Sequence, residues 1–199
     1  VTLQLSPPRS PERNAVRISA IETIVVGNEW KNWVFAQVHT DEGITGLGEG
    51  SVNGFGKTVE SAIRELAPLV EGEDPTRIEW ISRRLLRDVY TDGGQIHRAA
   101  VAAIEIACWD ILGKSLGVPV WKLLGGGTRD RVRVYANGWY RGERTPEAFA
   151  EGAREVVRRG YTALKFDPFG VGYRVTDRRD EDLAIAIVEA VRETVGPEI

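Results

Sequence analysis

The sequence of 199 residues contains no methionine, one cysteine and two histidines. Because the natural start of a protein supplies a methionine, we expect the chain to belong to a longer polypeptide. The single cysteine, Cys108, excludes a disulfide framework within the chain. The two histidines, His39 and His97, lie too far apart to have the spacing of metal ligands. A disulfide scaffold and a Cys-His metal site are therefore both excluded.

Long apolar runs and a large excess of charge of one sign are also missing. The most apolar stretch is interrupted by Glu105, Asp110 and Lys114, so it does not qualify as a transmembrane segment. The N-terminus lacks the basic residues and apolar core of a signal peptide. The formal net charge of −3 gives no reason to expect nucleic acid or an anionic membrane as a partner. We therefore expect a cytoplasmic enzyme.

What is present is typical of a globular protein, since 42% of the residues are hydrophobic and 28% are charged. The length suffices for one or two domains. Residues 1–15 carry prolines among polar residues and are predicted to form a disordered tail. The pattern of strands and helices then changes near residue 130. We predict a first domain at residues 16–130 and a second at residues 131–199.

The first domain is predicted to be an α+β domain. Its three strands are expected at residues 16–26, 33–40 and 44–49, and their short connections allow only an antiparallel meander. Three helices follow, at residues 57–70, from 74 to about 90, and at 98–116. The glycines at positions 46, 48 and 50 do not have the spacing of a nucleotide-binding loop. Glycines in a strand indicate instead a bulge or the close approach of another backbone.

The second region alternates strand and helix. Strands are predicted at residues 131–137 and 162–167, and helices from residue 145 and at about 180–195. This order indicates parallel strands joined by helical crossovers. We therefore predict the first two βα units of a TIM-type (β/α) barrel. Two units cannot close such a barrel, which has eight and takes roughly 250 residues, so the remainder is expected beyond Ile199.

The second of these predicted strands carries the main candidate site. Side chains alternate along a strand, which puts Leu164 and Phe166 on an apolar face and Lys165 and Asp167 on a polar one, just before Pro168. Barrel enzymes hold their reactive side chains at this end of a strand. A strand that ends in a surface ion pair would have the same sequence, and both interpretations stay open on these residues alone.

Three further residues are candidates for contacts with a substrate. Asn137 lies near the C-terminal end of the first predicted barrel strand, where site residues are expected. Trp30 and Trp139 lie in predicted loops and could close over a ligand. The alternatives are ordinary, because a loop tryptophan is usually half-buried packing and a polar strand end is common.

Three stretches, together with the Lys165 strand, resemble the enolase superfamily and in particular its mandelate racemase-like branch. The stretches are VHTDEGITGLGE at residues 38–49, AAIEIACWDILGK at 102–114 and VPVWKLLGG at 118–126. The resemblance covers the chain from about residue 16. It implies a capping domain over a (β/α) barrel, with two capping-domain loops closing over the substrate. Here those loops would be residues 27–32 and 51–56.

One departure in the Lys165 strand bears on the reaction that the resemblance implies. The branch often carries Lys-x-Lys there, with the second lysine as its usual base, and here Asp167 replaces that lysine. This resembles the acid-sugar dehydratases of the galactonate and gluconate type, which remove an α-proton and eliminate water to give a 2-keto-3-deoxy acid. Lys165 would stabilise negative charge. Asp167 would orient Lys165 or a substrate hydroxyl, or would itself accept a proton. A racemase or epimerase of the same branch and a non-catalytic sugar-acid-binding module are the alternatives.

The resemblance also implies partners that the chain does not contain. Mg²⁺ is expected as the cofactor of the complete protein, with no metal ligand in this chain and all ligands beyond Ile199. A His-Asp pair for acid–base chemistry is expected in the same missing C-terminal half, so the 199 residues alone are expected to be inactive. The other expected partners are a small sugar-acid substrate and further copies of the protein in a homo-oligomer.

Overall fold

The computed structural model describes residues 16–28, 31–90, 92–170, 172 and 174–199. These residues form two compact units that divide between Thr128 and Arg129, two residues before the predicted boundary. Each unit has its own cluster of buried apolar side chains. The tail predicted at residues 1–15 lies outside the described residues.

The first unit contains a three-stranded antiparallel sheet in the order β1 (Ile18–Gly27), β2 (Asn32–Thr40) and β3 (Thr45–Glu49). The predicted meander is therefore confirmed. Side-chain alternation explains it, because Val34, Ala36 and Val38 of β2 are fully buried while the residues between them are partly exposed. The Thr40 hydroxyl closes the turn to β3 by donating to the carbonyl of Ile44 at 2.8 Å.

Helices follow the sheet along the chain. They are α1 (Gly56–Leu66), a 3-10 turn (Ala67–Leu69), α2 (Ile78–Arg87), α3 (Gly94–Leu116) and the short α4 (Val120–Leu123). Ile63 of α1, Leu85 of α2 and Ile104 of α3 are fully buried in one cluster with the inner face of the sheet. Because α3 packs against the sheet and against both α1 and α2, it lies at the centre of this unit.

Two helix starts differ by four residues from the sequence-based expectations, and a carboxylate accounts for each. The Asp74 carboxylate accepts a hydrogen bond from the Thr76 backbone N–H at 2.8 Å, which makes a turn there and delays α2 to Ile78. The Asp92 carboxylate accepts a hydrogen bond from the Gly94 N–H at 2.8 Å, so α3 begins four residues before position 98. The hydrogen bond from Arg98, together with this one, holds the pKa of Asp92 below its ordinary value.

The glycines of β3 allow α3 to lie directly on the strand. A Cβ atom on Gly46 would lie 2.0 Å from the Ala107 carbonyl oxygen, and one on Gly48 would lie 2.0 Å from the Ala103 carbonyl oxygen. The spacings match, because two residues of a strand span roughly 6.7 Å and four residues of a helix span roughly 6 Å. These glycines therefore serve close backbone approach, as predicted.

The outer edge of β3 is covered by side chains of α3. The Asp110 carboxylate accepts a hydrogen bond from the Leu47 N–H at 3.0 Å, and the Lys114 ammonium donates to the Thr45 carbonyl at 2.7 Å. Asp110 and Lys114 also form an ion pair with each other at 2.7 Å. Open strand edges invite pairing with other chains, so this pair satisfies and protects the edge. Asp110 and Lys114 of the WDILGK stretch therefore have a structural role.

Cys108 lies on the buried side of α3 and is fully inaccessible. Burial, with smaller effects from the Glu105 and Asp74 carboxylates, raises the pKa of its thiol from 9.0 to about 12. At pH 8 we expect native Cys108 to react with a thiol reagent on the order of 1,000-fold more slowly than in urea, because the thiolate is the nucleophile. Peptide mass spectrometry after timed labelling of the full-length protein measures this.

The raised pKa of the Cys108 thiol also makes the stability of the protein depend on pH. The folded thiol titrates above the unfolded one, so its contribution is constant below about pH 8, and the free energy of unfolding falls as the pH rises from about 9 to about 12. Rapid labelling of Cys108 at pH 8 in the folded protein would contradict this placement.

The second unit is built from α5 (Pro146–Arg158) and α6 (Arg178–Val195). Thr145 caps α5 by accepting a hydrogen bond from the Ala148 N–H at 3.2 Å, and Asp177 caps α6 by accepting one from the Asp180 N–H at 2.9 Å. Between the helices lies a core that includes Phe149 and Ile187, both almost fully buried. We call this core the aromatic cluster, since four rings pack in it: Trp139, Tyr140, Phe149 and Phe166.

The two strands predicted in this unit are not regular strands. Residues 131–137 and 162–167 are joined by one isolated parallel bridge, between Ala136 and Leu164. The Ala136 N–H donates to the Ala163 carbonyl at 2.9 Å, and the Lys165 N–H donates to the Ala136 carbonyl at 2.8 Å. A parallel sheet is stabilised by neighbours on both sides, and within the described residues each segment has only one. The parallel direction agrees with the prediction, and the barrel itself stays a prediction.

Candidate active site

The segment that carries Lys165 shows the side-chain alternation that its sequence predicts. Leu164 and Phe166 pack against the aromatic cluster, whereas Lys165 and Asp167 are exposed. Within the described residues the two charged groups do not pair with each other. The Asp167 carboxylate instead accepts a hydrogen bond from the Phe169 N–H at 2.9 Å. Both charged side chains are therefore available to a ligand that approaches from solvent.

The backbone beneath Lys165 is fixed on both sides. Its N–H donates to the Ala136 carbonyl at 2.8 Å, and its carbonyl accepts a hydrogen bond from the Trp139 indole N–H at 3.1 Å. A lysine with four flexible side-chain bonds gains precision mainly from a fixed starting point. The sequence predicts that Lys165 lies on the polar face, but it contains no signal for the indole contact.

Asn137 and Trp139 follow Ala136, which is bridged to this segment, and their environments differ. Asn137 is exposed, and its side-chain oxygen accepts a hydrogen bond from the Gly138 N–H at 3.0 Å. Trp139 is half-buried, with its ring 5.4 Å from Phe166 and 6.1 Å from Phe149, measured between ring centres. Trp139 thus takes part in packing, which was the ordinary alternative for a loop tryptophan.

Trp30, the remaining predicted substrate contact, lies outside the described residues. Described residues of both loops that are predicted to cover a substrate line a cleft of about 360 Å³ within the first unit. Its lining includes Asn32, Phe55 and the ammonium-bearing Lys57. The cleft therefore offers hydrogen-bond donors and positive charge, which suits a polar, anionic ligand.

Arg144 is a residue near the candidate site that the sequence did not single out. It is half-buried, and its guanidinium donates to the Pro168 carbonyl, one residue beyond Asp167. Twenty-one arginines occur in the chain, and a partner that is a backbone carbonyl leaves no mark in the sequence. Only the spatial arrangement could reveal this contact.

No metal centre is formed by the described residues, among which no group of three or more His, Cys, Asp or Glu side chains converges. The two histidines have other partners. His97 is buried and its Nε2 lies 2.9 Å from the Leu85 carbonyl, while Nδ1 of His39 lies 3.1 Å from the Thr45 hydroxyl. Among the residues that the structure describes, no helix is long and apolar enough to cross a membrane.

Comparison with known proteins identifies the family of this chain. The model of the family described as "Mandelate racemase / muconate lactonizing enzyme, N-terminal domain" matches residues 12–125. D-galactonate dehydratase of Pectobacterium atrosepticum is 40% identical over 167 residues, which cover 84% of this chain and 43% of that protein. D-gluconate dehydratase of Thermoproteus tenax is 39% identical over 193 residues, which cover 92% of this chain and 38% of that protein.

A solved structure extends the similarity to the fold. A protein from Mesorhizobium loti, provisionally named a dehydratase, aligns with a TM-score of 0.86 at 39% identity over 92% of this chain and 51% of that one. The chain spans about two fifths of the length of the two curated relatives. It belongs to the mandelate racemase / muconate lactonizing enzyme family, the branch of the enolase superfamily that its sequence resembles.

Proposed function

We propose that this chain is the N-terminal part of an acid-sugar dehydratase, which converts an aldonic acid to the 2-keto-3-deoxy acid. The observation that carries the proposal is the pair of exposed, oppositely charged side chains, Lys165 and Asp167, on a segment whose backbone is held by hydrogen bonds. The two curated relatives, named for dehydration of D-galactonate and D-gluconate, support this substrate class.

Two demands follow from the reaction. The proton next to the substrate carboxylate is very weakly acidic, so its removal requires stabilisation of the negative charge that develops. The 3-hydroxyl then leaves with a proton from a general acid, and the enol tautomerises to the keto acid. A divalent cation would add charge stabilisation when bound, but the described residues do not fit one, so its ligands would come from elsewhere in the complete protein.

Lys165 is proposed to stabilise negative charge on the substrate. A protonated ammonium is a poor base, but it is a compact positive charge that suits a carboxylate or the charge that develops on it. The two backbone hydrogen bonds to Lys165 fix the point from which the side chain reaches. Charge stabilisation depends on such preorganisation, so this environment supports the proposed role.

Asp167 is proposed to orient Lys165 or a substrate hydroxyl, and it can itself accept a proton. One carboxylate oxygen, Oδ1, accepts the hydrogen bond from the Phe169 N–H. A carboxylate has two oxygens, so Oδ2 is left to contact the substrate. The main base or acid would then lie outside this chain, as the resemblance implies.

Asn137 is proposed as a substrate contact on the neighbouring segment. It follows Ala136, whose carbonyl accepts a hydrogen bond from the Lys165 N–H. The Asn137 and Lys165 side chains therefore start from neighbouring backbone positions, each one residue beyond the Ala136–Leu164 bridge. Trp139 would contact a substrate only through the exposed part of its ring, because its indole N–H is engaged. The roles of Trp30 and of residues 27–32 and 51–56 stay predictions.

The proposal is tested by incubating the full-length protein and Mg²⁺ with a panel of aldonic acids and measuring 2-keto-3-deoxy product as its semicarbazone. We expect product from one or a few members of the panel. Formation of an epimer without keto acid would show a racemase, and binding without turnover would show a non-catalytic module. Either result would contradict the dehydratase proposal. The isolated 199-residue chain is the matched control, and we expect no turnover from it.

The continuation of the chain, its cellular location and its oligomeric state are proposals as well. The share of each relative that the chain covers supports a C-terminal continuation. The cytoplasmic location and the homo-oligomer stay predictions from the sequence. Mass measurement of the protein purified from its natural source checks both the continuation and the assembly.

A further inference from the structure

Two side chains of one loop hold the segment that carries Lys165 and Asp167. The loop is residues 138–145, between Asn137 and α5. The Trp139 indole donates to the Lys165 carbonyl, and the Arg144 guanidinium donates to the Pro168 carbonyl. The two contacts therefore lie on either side of Asp167.

The Arg144 guanidinium also packs closely against the turn that follows Asp167. A Cβ atom on Gly170 would lie 2.5 Å from Nη1 of Arg144 and 2.6 Å from its central carbon. Gly170 has φ of 58°, in the left-handed region that favours glycine. Within the described residues no carboxylate forms an ion pair with Arg144, so this contact is with backbone rather than with an opposite charge.

We propose that Arg144 is a positioning residue for Asp167, an inference that rests on the proposed function. Arg144 holds the Pro168 carbonyl, and the next N–H along the chain, that of Phe169, is the donor to the Asp167 carboxylate. The guanidinium therefore fixes the turn whose N–H sets the direction of that carboxylate. Without Arg144 the turn is free to move and the carboxylate loses the direction that the Phe169 N–H gives it.

The first test replaces Arg144 in the full-length protein. Arg144→Ala is expected to lower kcat for the aldonate about 10- to 100-fold with little change in KM, the usual cost of losing a group that orients a reactive one. Arg144→Lys keeps one donor to the carbonyl and is expected to recover most of the loss. Arg141→Ala, an exposed arginine of the same loop, is the matched control and should behave as wild type.

Direct binding of substrate by Arg144 gives a different result. The KM would then rise strongly while kcat stayed near its wild-type value, and the positioning role would be overturned. Equal loss in Arg144→Ala and Arg141→Ala would also overturn it, because the effect would then come from charge in the loop rather than from the Pro168 contact.

Gly170 provides a second approach to the same contact. Gly170→Ala pushes against the guanidinium, so it is expected to reproduce the loss of kcat in the wild-type background. In the Arg144→Ala background the obstruction is gone and only the strain of alanine at a positive φ remains, so Gly170→Ala should cause a much smaller further loss. Full additivity of the two losses would show that they act independently and would contradict the proposal.

Amide hydrogen exchange separates this inference from the proposed function. The Phe169 N–H is protected by the Asp167 carboxylate, so Arg144→Ala should speed exchange in peptides covering residues 165–170 whether or not the protein dehydrates an aldonate. Unchanged exchange there would overturn the proposal. Faster exchange in a protein that dehydrates no aldonate would support the positioning role of Arg144 and refute the proposed dehydratase function.

Discussion

Replacing Lys165 with alanine in the full-length protein is expected to lower kcat for aldonate dehydration at least ~100-fold. Removal of one preorganised group that stabilises developing charge typically has an effect of this size. The variant should stay folded, because the Lys165 side chain is exposed and its two hydrogen bonds are made by backbone atoms. Steady-state kinetics with the best aldonate of the panel, together with a melting curve, measure both expectations.

The matched control is Lys122→Ala, which removes an exposed lysine from the first unit. Lys122 lies over the Trp121 ring at 5.6 Å and has no proposed role in the reaction. We expect it to keep wild-type kinetics. Near-normal turnover by a folded Lys165→Ala protein would assign Lys165 to the protein surface rather than to the active site.

Replacing Gly48 with valine is expected to destabilise the first unit severely. A Cβ at this position would lie 2.0 Å from the Ala103 carbonyl oxygen and 2.8 Å from the Ala107 nitrogen, both backbone atoms of α3. Because no rotamer relieves a clash between backbone and Cβ, the strand and helix must move apart. Overpacking in a core costs about 1–3 kcal/mol, and a clash with rigid backbone belongs at the upper end or above it.

Calorimetric unfolding of the full-length protein measures this effect. A loss of about 3 kcal/mol corresponds to a decrease in Tm of roughly 10–15 °C for a unit of somewhat more than about 100 residues. Gly127→Val is the control, since a Cβ on Gly127 would meet only the Trp121 ring, at 3.8 Å. An unchanged Tm for Gly48→Val would show that α3 does not lie directly on β3.

The meander and its helices could be predicted because their signals are local. Val34, Ala36 and Val38 alternate with partly exposed residues along β2, and this period of two is specific for a strand with one buried face. The β3 glycines were also informative, since their spacing excluded a nucleotide loop and indicated close packing. The helix starts were less predictable, because Asp74 and Asp92 can cap either a turn or a helix.

The segments that carry the candidate site were harder to predict. A regular parallel strand depends on hydrogen bonds to segments distant in sequence, and among the described residues only the Ala136–Leu164 bridge forms. The alternation around Lys165 was still correct, because it depends on which face meets the aromatic cluster. Arg144 and the indole contact of Trp139 were missed, since both act on backbone carbonyls.

Exchange of the α-proton with solvent deuterium in Asp167→Asn tests most directly whether Lys165 and Asp167 serve this chemistry. The full-length variant is incubated with its aldonate in D₂O, and NMR follows the α-position and the keto acid together. If Asp167 orients while the base lies elsewhere, product formation should fall at least ~10-fold while the α-proton still exchanges. Asp130→Asn, an exposed loop control, should match wild type. Keto acid formation at the wild-type rate by Asp167→Asn would contradict the account, and loss of exchange together with product would make Asp167 the base.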